Sequence, residues 1–470
     1  MIAAASRMIS SRMIPRWLVI VLIVATVFND LQPFLPLGEL AKDGFVYVFP
    51  LAALLLLRNP GRVALPPLFS VLLLIFIALI VISIAVNYEA VSTAYFKGRT
   101  GMSRVITQGM AVLLGPLVTL LFFNLASSAN LRDISRGAEV ALWVMAGVAV
   151  LETATWYGIP GFSQAYEALS LIIHAETNEY YPQRMRLTAF EASWAAVMLT
   201  FIFPFAMTRA TPLKLFLYAG FVILAMILAQ SRTAMLVIGI QYLVLLAAFM
   251  RRRKDYIVHC VTAVCIAALT VLATPGVGES VATKVSNLIE FGSVDGMIDK
   301  DGGVENVSNI TRLAAVRAGM SMFREHPVFG VGFAQYGFNY PSHIHMDDMR
   351  SSEVRSYVTE ADVELAWPPA YSLHVRLLAE LGITGYLSWL SLILPVLLRS
   401  LMMSDGTTYL GRMHLAVAMT LIGWMLLGVS IDSFRFFGGW IALGVGLALP
   451  RPPRSFGDRP VVARSSVTSP

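Results

Sequence analysis

The stretch ALPPLFSVLLLIFIALIVISIAV, residues 64–86, contains no charged side chain from end to end. A helix of about 20 apolar residues crosses the hydrocarbon core of a bilayer, whereas a soluble domain rarely buries a segment this long and this apolar. The run has many companions. Of 470 residues, 57% are hydrophobic and only 14% charged, which excludes an ordinary water-soluble fold. Working outward, similar runs lie near 17–30, 44–57, 105–124, 139–157, 193–208, 215–231, 234–250, 256–274, 372–398, 413–430 and 437–450, twelve candidate spans in all. The expected fold is all-α and integral to the membrane. Nine spans occupy 1–274, a helical loop or cap 275–371, three further spans 372–450, and a cytoplasmic tail 451–470.

Arg7, Arg12 and Arg16 precede the first run, and no small-residue cleavage pattern follows it, so it reads as a retained helix rather than a signal peptide. Cys260 and Cys265 share one apolar run and form neither a disulfide framework nor a zinc site.

A formal charge of +6 invites a nucleic-acid partner, but the basic residues fall in short clusters between apolar runs, so none is expected. Arg58/Arg62, Arg132/Arg136, Arg209/Lys214, Arg251 to Lys254 and Arg399/Arg412 occupy alternate connections, as cytoplasmic loops do under the positive-inside rule. With both termini inside, four features lie outside: residues 158–192, the turn QSRTAM around Arg232, the segment 275–371, and the turn IDSFRFF around Arg435. In the long segment, NITRLAAVRAGMSMF repeats Leu313, Val316, Met320 and Phe323 at helical spacing before His326-Pro327 stops it, which predicts a helical cap. No internal repeat supports the duplicated halves of many transporters.

An arginine at the bilayer centre costs at least about 2.5–3.5 kcal/mol, so arginines at span ends need water or a polar partner. Arg184, Arg186, Arg232, Arg312 and Arg317 all fall on the outer side in this topology. Singly, each is explained by snorkelling or a local carboxylate. As a set around one cavity they suit a diphosphate, because the guanidinium fork matches phosphate oxygens. Fixed cations of this kind stabilise the charge that develops when a sugar leaves a lipid pyrophosphate. Glu191, close to Arg186 and opening a span, either takes a proton from an acceptor hydroxyl or pairs with an arginine.

In HPVFGVGFAQYGFNYPSHIH, Gly330 and Gly332 permit positive φ, while Phe333, Tyr336 and Tyr340 offer faces for sugar rings. The alternative is a tight turn packing its aromatics on the bundle. His343, His345, Asp347 and Asp348 have the composition of a metal site, and Asp299-Lys300-Asp301 that of an acidic pair, but these are loop residues without a third ligand at fixed spacing. No metal or cofactor is expected. Asn306 and Asn309 open two glycosylation-type triplets, which also arise by chance.

The order of RLTAFEAS before a span, QSRTAMLVIG opening another, TRLAAVRAGMSMFREHPVFGVGFAQYGF in the long loop and LLAELGITGYL at the next span resembles the O-antigen ligase and Wzy-type polymerase superfamily over residues 184–390. The resemblance implies a GT-C-type glycosyltransferase of the bacterial inner membrane, its site facing the periplasm. Its implied donor is an undecaprenyl-pyrophosphate-linked oligosaccharide, and its companions a chain-length regulator and a repeat-unit flippase. By position, Arg186, Arg232 and Arg312 match the family's arginines and are the implied diphosphate ligands, with Arg184 beside them. Ligases of the family carry a histidine nine residues and a polar position before Gly-x-x-Gly. Counting back from Gly382 and Gly385 gives Tyr371-Ser372 instead, with His374 three residues on. Either His374 or Tyr371 takes that place, or His374 is an unrelated helix-start residue. The departure favours a polymerase of O-antigen or exopolysaccharide over a ligase acting on lipid A core or protein. A lipid-linked oligosaccharide transporter is the reading from another class, disfavoured because the charges concentrate on one face.

Overall fold

A computed structural model describes residues 14–35, 37–58, 63–127, 130–174, 184–250, 254–273, 304–359 and 366–450. In chain order the helices are α1 (Arg16–Ala25), α2 (Gly44–Leu57), α3 (Pro67–Val86), α4 (Tyr88–Thr93), α5 (Gly101–Ala126) and α6 (Leu131–Trp156). Next come α7 (Phe162–Ile173), α8 (Ala192–Met207), α9 (Pro212–Ala229), α10 (Arg232–Phe249), α11 (Lys254–Ala273) and α12 (Val304–Glu325). The chain continues with the short α13 (Tyr336–Asn339) and α14 (Ser352–Val358), then α15 (Leu373–Met403), α16 (Tyr409–Leu427) and α17 (Phe437–Ala448). The β-structure among the described residues is one antiparallel hairpin, β1 (Tyr95–Phe96) with β2 (Arg99–Thr100), Tyr95 facing Thr100. Asp299, Lys300, Asp301 and the tail 451–470 lie outside the described residues.

Among the described residues, seven helices are long and apolar enough to cross a membrane: α3, α5, α6, α9, α10, α15 and α16. Five shorter apolar helices fall on the remaining apolar runs. At about 1.5 Å per residue, the ten residues of α1 reach only half of a hydrocarbon core about 30 Å thick. The chain is therefore a helical multi-pass membrane protein, with seven of the twelve expected spans meeting the length criterion. Helix α3 turns most of its surface outward, Leu68 and Leu74 being 70% and 65% exposed. An apolar helix uncovered in this way belongs against lipid.

Lipid is as apolar as leucine, so helices in a bilayer associate by close packing of small residues rather than by hydrophobic expulsion. Helix α17, FGGWIALGVGLA, follows that rule against α5: a Cβ on Gly115 would stand 2.1 Å from the Trp440 ring. Thr119 Oγ1 donates to the Trp440 carbonyl at 3.1 Å. Trp440 also stacks edge-on with Trp389 and Trp424, centroids 5.4 and 5.2 Å away. Its Nε1 donates to the Phe434 carbonyl at 3.1 Å and so pins the turn that precedes α17.

The cap helix α12 forms where the apolar spacing predicts and ends at Glu325, just before His326-Pro327. Its best-buried face, however, is Ala314, Ala315, Ala318 and Met322, each 0% exposed, while Leu313, Val316, Met320 and Phe323 are only partly buried. Small residues win that face because α12 lies close on α15: a Cβ on Gly319 would stand 2.4 Å from Val375 Cγ1.

Helix α15 is broken at Gly382, at φ 65° and ψ −167°. The break releases carbonyls from the helical ladder, and buried carbonyls must find other donors. The 327–332 loop supplies them: Val331 N donates to Ala379 O at 2.9 Å and Gly332 N to Glu380 O at 3.2 Å. Ile383 N returns a bond to Pro327 O at 2.9 Å, and Ser83 Oγ on α3 also donates to Glu380 O at 2.8 Å. The loop thus locks the cap to the bundle at the turn of α15 that carries Glu380.

Candidate active site

The segment RMRLTAFEA turns back toward the bundle around one buried carboxylate. Glu152 on α6, 2% exposed, accepts from the backbone N–H groups of Arg186 at 3.0 Å and Leu187 at 3.1 Å. Leu187 sits at φ 57°, a conformation costly for a branched side chain. His174 holds the same residue from the other side: its Nε2 donates to Leu187 O at 3.0 Å, and Nδ1 accepts from Ser170 Oγ at 3.0 Å. Burial and the nearby Arg186 charge push the His174 pKa down to about 3, so the ring is neutral at physiological pH. Farther along, Phe190 N donates to Asn29 Oδ1 at 3.1 Å. Arg184 and Glu191 leave this scaffold in one direction and Arg186 in the other.

A cavity of about 400 Å³ receives Arg184 and Glu191 together with Arg232, Arg312, Tyr371 and Asp432. Arg184 Nε is anchored on the Ala229 carbonyl at 3.3 Å. Arg232 opens α10, whose start is set by Gln230 at φ 52° and by Ser231 Oγ accepting from Ala234 N at 3.4 Å. Arg312 comes from α12, its guanidinium carbon 5.8 Å from the centre of the Tyr371 ring. Tyr371, at φ 53°, shares a hydrogen bond of 2.9 Å with the Tyr357 hydroxyl. Burial and that neighbour push its phenol well above the usual range, which keeps it protonated. Asp432 Oδ2 accepts from Ala370 N at 2.8 Å. Four chain segments far apart in sequence thus deliver three arginines and two carboxylates to one space.

A larger chamber of about 780 Å³ adjoins it, sharing Trp194, Pro369 and Asp432. Its floor is a buried ion pair. Arg376 Nε donates to Glu380 Oε1 at 3.2 Å, Nη2 to Gln108 Oε1 at 2.9 Å and Nη1 to the Asp432 carbonyl at 2.9 Å. Glu380 Oε1 accepts in addition from Tyr336 N at 3.3 Å. Arg99, Arg104, Trp367 and Arg435 complete the wall.

Of the residues singled out from sequence, Arg184, Arg232, Arg312, Glu191 and Tyr371 meet in the smaller cavity. Arg186 does not: it is 6% exposed, with Nε 3.5 Å from the Tyr166 hydroxyl behind the scaffold. Tyr336 borders the larger chamber and bonds the Ala315 carbonyl at 2.7 Å, whereas Phe333 and Tyr340, 1% and 0% exposed, are packing residues. His374 lines neither space. Its Nε2 donates to Met425 O at 2.8 Å and its Nδ1 faces the Tyr386 hydroxyl at 3.3 Å, so both nitrogens are engaged. Asp432, Arg376, Glu380, Arg99, Arg104 and Trp367 were not singled out. One available signal was FKGRTGMSR, residues 96–104, a basic cluster on a connection that strict alternation leaves outside.

No curated protein sequence matches the chain. Residues 215–390 match the family model described as O-antigen ligase. That segment contributes Arg232, Arg312, Tyr371, Arg376 and Glu380, while Arg184 and Glu191 precede it and Asp432 follows it. The match supports a relation of residues 215–390 to the O-antigen ligase and polymerase superfamily, whose members are glycosyltransferase-like enzymes.

Proposed function

We propose that the chain is a polymerase of a bacterial surface polysaccharide, with the smaller cavity as its donor site. The observation that carries this reading is the convergence of Arg184, Arg232 and Arg312 with Glu191 and Asp432 in one space of about 400 Å³. Three guanidinium groups neutralise a polyprenyl diphosphate without a metal, each charge-assisted bond contributing about 1.5–3 kcal/mol. The acceptor hydroxyl attacks the anomeric carbon in line, the bond from that carbon to the diphosphate oxygen breaks, and the carrier lipid leaves as its diphosphate with inversion at carbon. Asp432 borders both spaces, a position that suits a base meeting an acceptor from the larger chamber; Glu191 is the second carboxylate in reach. Arg186 acts by fixing the scaffold. A GT-C-like arrangement in the inner membrane fits this chemistry, with the cap on the periplasmic face, undecaprenyl as carrier, and a flippase and chain-length regulator as partners.

A ligase is the second reading, favoured by the family description over residues 215–390. Against it stand Tyr371 at the position where ligases keep histidine and the engaged nitrogens of His374. The two are separated by gel profiles of surface polysaccharide and lipid-linked precursors from a strain whose only copy carries Arg232→Ala. Loss of the long-chain ladder, with single repeat units still transferred, supports the polymerase. Long chains accumulating on the carrier support the ligase, and an unchanged profile with full expression removes the donor role of Arg232.

A further inference from the structure

The larger chamber carries positive charge that the donor chemistry does not use. Arg376 is matched by Glu380 at 3.2 Å and Arg435 by Asp43 at 3.3 Å. Arg99 and Arg104 have no ion pair among the described residues. Both lie over the Trp367 ring, their guanidinium carbons 5.2 and 4.6 Å from its centre. Arg104 Nε is buried without a hydrogen-bond partner among the described residues, and an orphaned buried donor on a charged group is costly unless something occupies the space before it. The supporting structure is deliberate. Lys97 reaches across to the carbonyls of Ser356 and Ala366, tying the β-hairpin to the cap, and Thr100 with Ser103 forms a capping box that fixes the first turn of α5. Arg99 and Arg104 are held on either side of that cap.

We infer that the larger chamber is an acceptor subsite for an anionic saccharide, whose carboxylate or phosphate is bound by Arg99 and Arg104. The inference rests on the proposed transferase reading. It adds that the acceptor, arriving at Asp432 from this side, is selected by a negative charge set back from its reacting hydroxyl. An acidic sugar of the repeat unit and the diphosphate of a second carrier lipid both supply that charge. Arginine is suited to either, because its planar fork binds both oxyanions in two-point fashion.

The test uses the full chain purified in detergent and titrated calorimetrically with trigalacturonate, inorganic pyrophosphate and neutral maltotriose. Wild type is expected to bind at least one anion more tightly than maltotriose. R99Q/R104Q weakens that anion about tenfold or more, R99K/R104K weakens it less than R99Q/R104Q because the charge is kept while the two-point fork is lost, and R232Q/R312Q leaves the R99Q/R104Q-sensitive binding in place. Sensitivity confined to trigalacturonate identifies the acidic sugar as the source, and sensitivity confined to pyrophosphate the second diphosphate. Neither anion binding better than maltotriose, or R99Q/R104Q of unchanged melting temperature binding both as wild type does, overturns the subsite. The donor reading fails separately, if R232Q/R312Q leaves unchanged the pyrophosphate binding that R99Q/R104Q does not affect.

Discussion

Gly330 lies directly on the backbone of Glu380: a Cβ on Gly330 would stand 2.3 Å from the Glu380 carbonyl carbon, and Gly330 itself is at φ 68°. The contact couples the cap loop to the turn of α15 that presents Arg376 and Glu380 to the larger chamber. Gly330→Ala therefore meets both a strained φ and a backbone collision, and is expected to destabilise by about 3 kcal/mol or more. Gly158→Ala, at φ 63° with open space around it, incurs only the φ penalty of about 1 kcal/mol. Melting temperatures in detergent check the order; equal losses would refute the coupling.

Glu152 touches neither cavity, yet its carboxylate bonds two successive backbone N–H groups of the segment that carries Arg184 and Glu191. In Glu152→Gln only one side-chain oxygen remains to accept, leaving a buried donor unpaired at a cost of about 1–3 kcal/mol. Arg184 and Glu191 then lose their positioning. Transfer activity is expected to fall about tenfold or more with the protein still folded, and normal activity in Glu152→Gln would show that the scaffold needs no such anchor.

The same scaffold responds to acid. His174 has a folded-state pKa of about 3, below the ordinary value of about 6.5. Its contribution to stability is therefore complete above pH 6.5 and lost as pH falls from there toward 3, by up to about 1.4 kcal/mol per pH unit. Wild type should lose melting temperature between pH 7 and pH 5 more steeply than His174→Gln. Parallel pH profiles would show that His174 has no part in the acid response.

His374 and Asp432 offer opposite expectations. With both ring nitrogens bonded away from the cavities, His374→Gln should keep transfer within about threefold, because glutamine can restore the donor to Met425 O. Asp432→Asn should reduce it by about 10²–10⁴, the range expected for loss of a general base. Initial rates on a lipid-linked substrate separate them, and the reverse ranking would return the base to His374.

Much of this architecture is legible in the sequence because a bilayer imposes one period and one length on everything that crosses it. Residues 44–57 coincide with α2 to the residue. The cap helix and the positive φ of Gly330 and Gly332 are likewise readable, since helical spacing and glycine at a tight turn are local properties. What sequence hides is direction. Arg184 and Arg186 are two residues apart, and only the turn around Glu152 sends one into the cavity and buries the other. Asp432 and Arg376 are hidden for a related reason: the turn before α17 reaches the site because Trp440 pins Phe434, a contact with no signature in local pattern. The aromatic run 333–340 reads either as sugar platforms or as a tight turn packing its aromatics, and for Phe333 and Tyr340 packing wins.

The most direct test of the donor site is reconstitution of the full chain in lipid nanodiscs with a polyprenyl-pyrophosphate-linked repeat unit as the only sugar, followed by sizing of the lipid-linked products. The expected products are lengthened by whole repeat units, with polyprenyl diphosphate released at each step, and R232Q/R312Q of unchanged melting temperature loses at least a hundredfold. Undiminished lengthening by R232Q/R312Q would contradict the donor site.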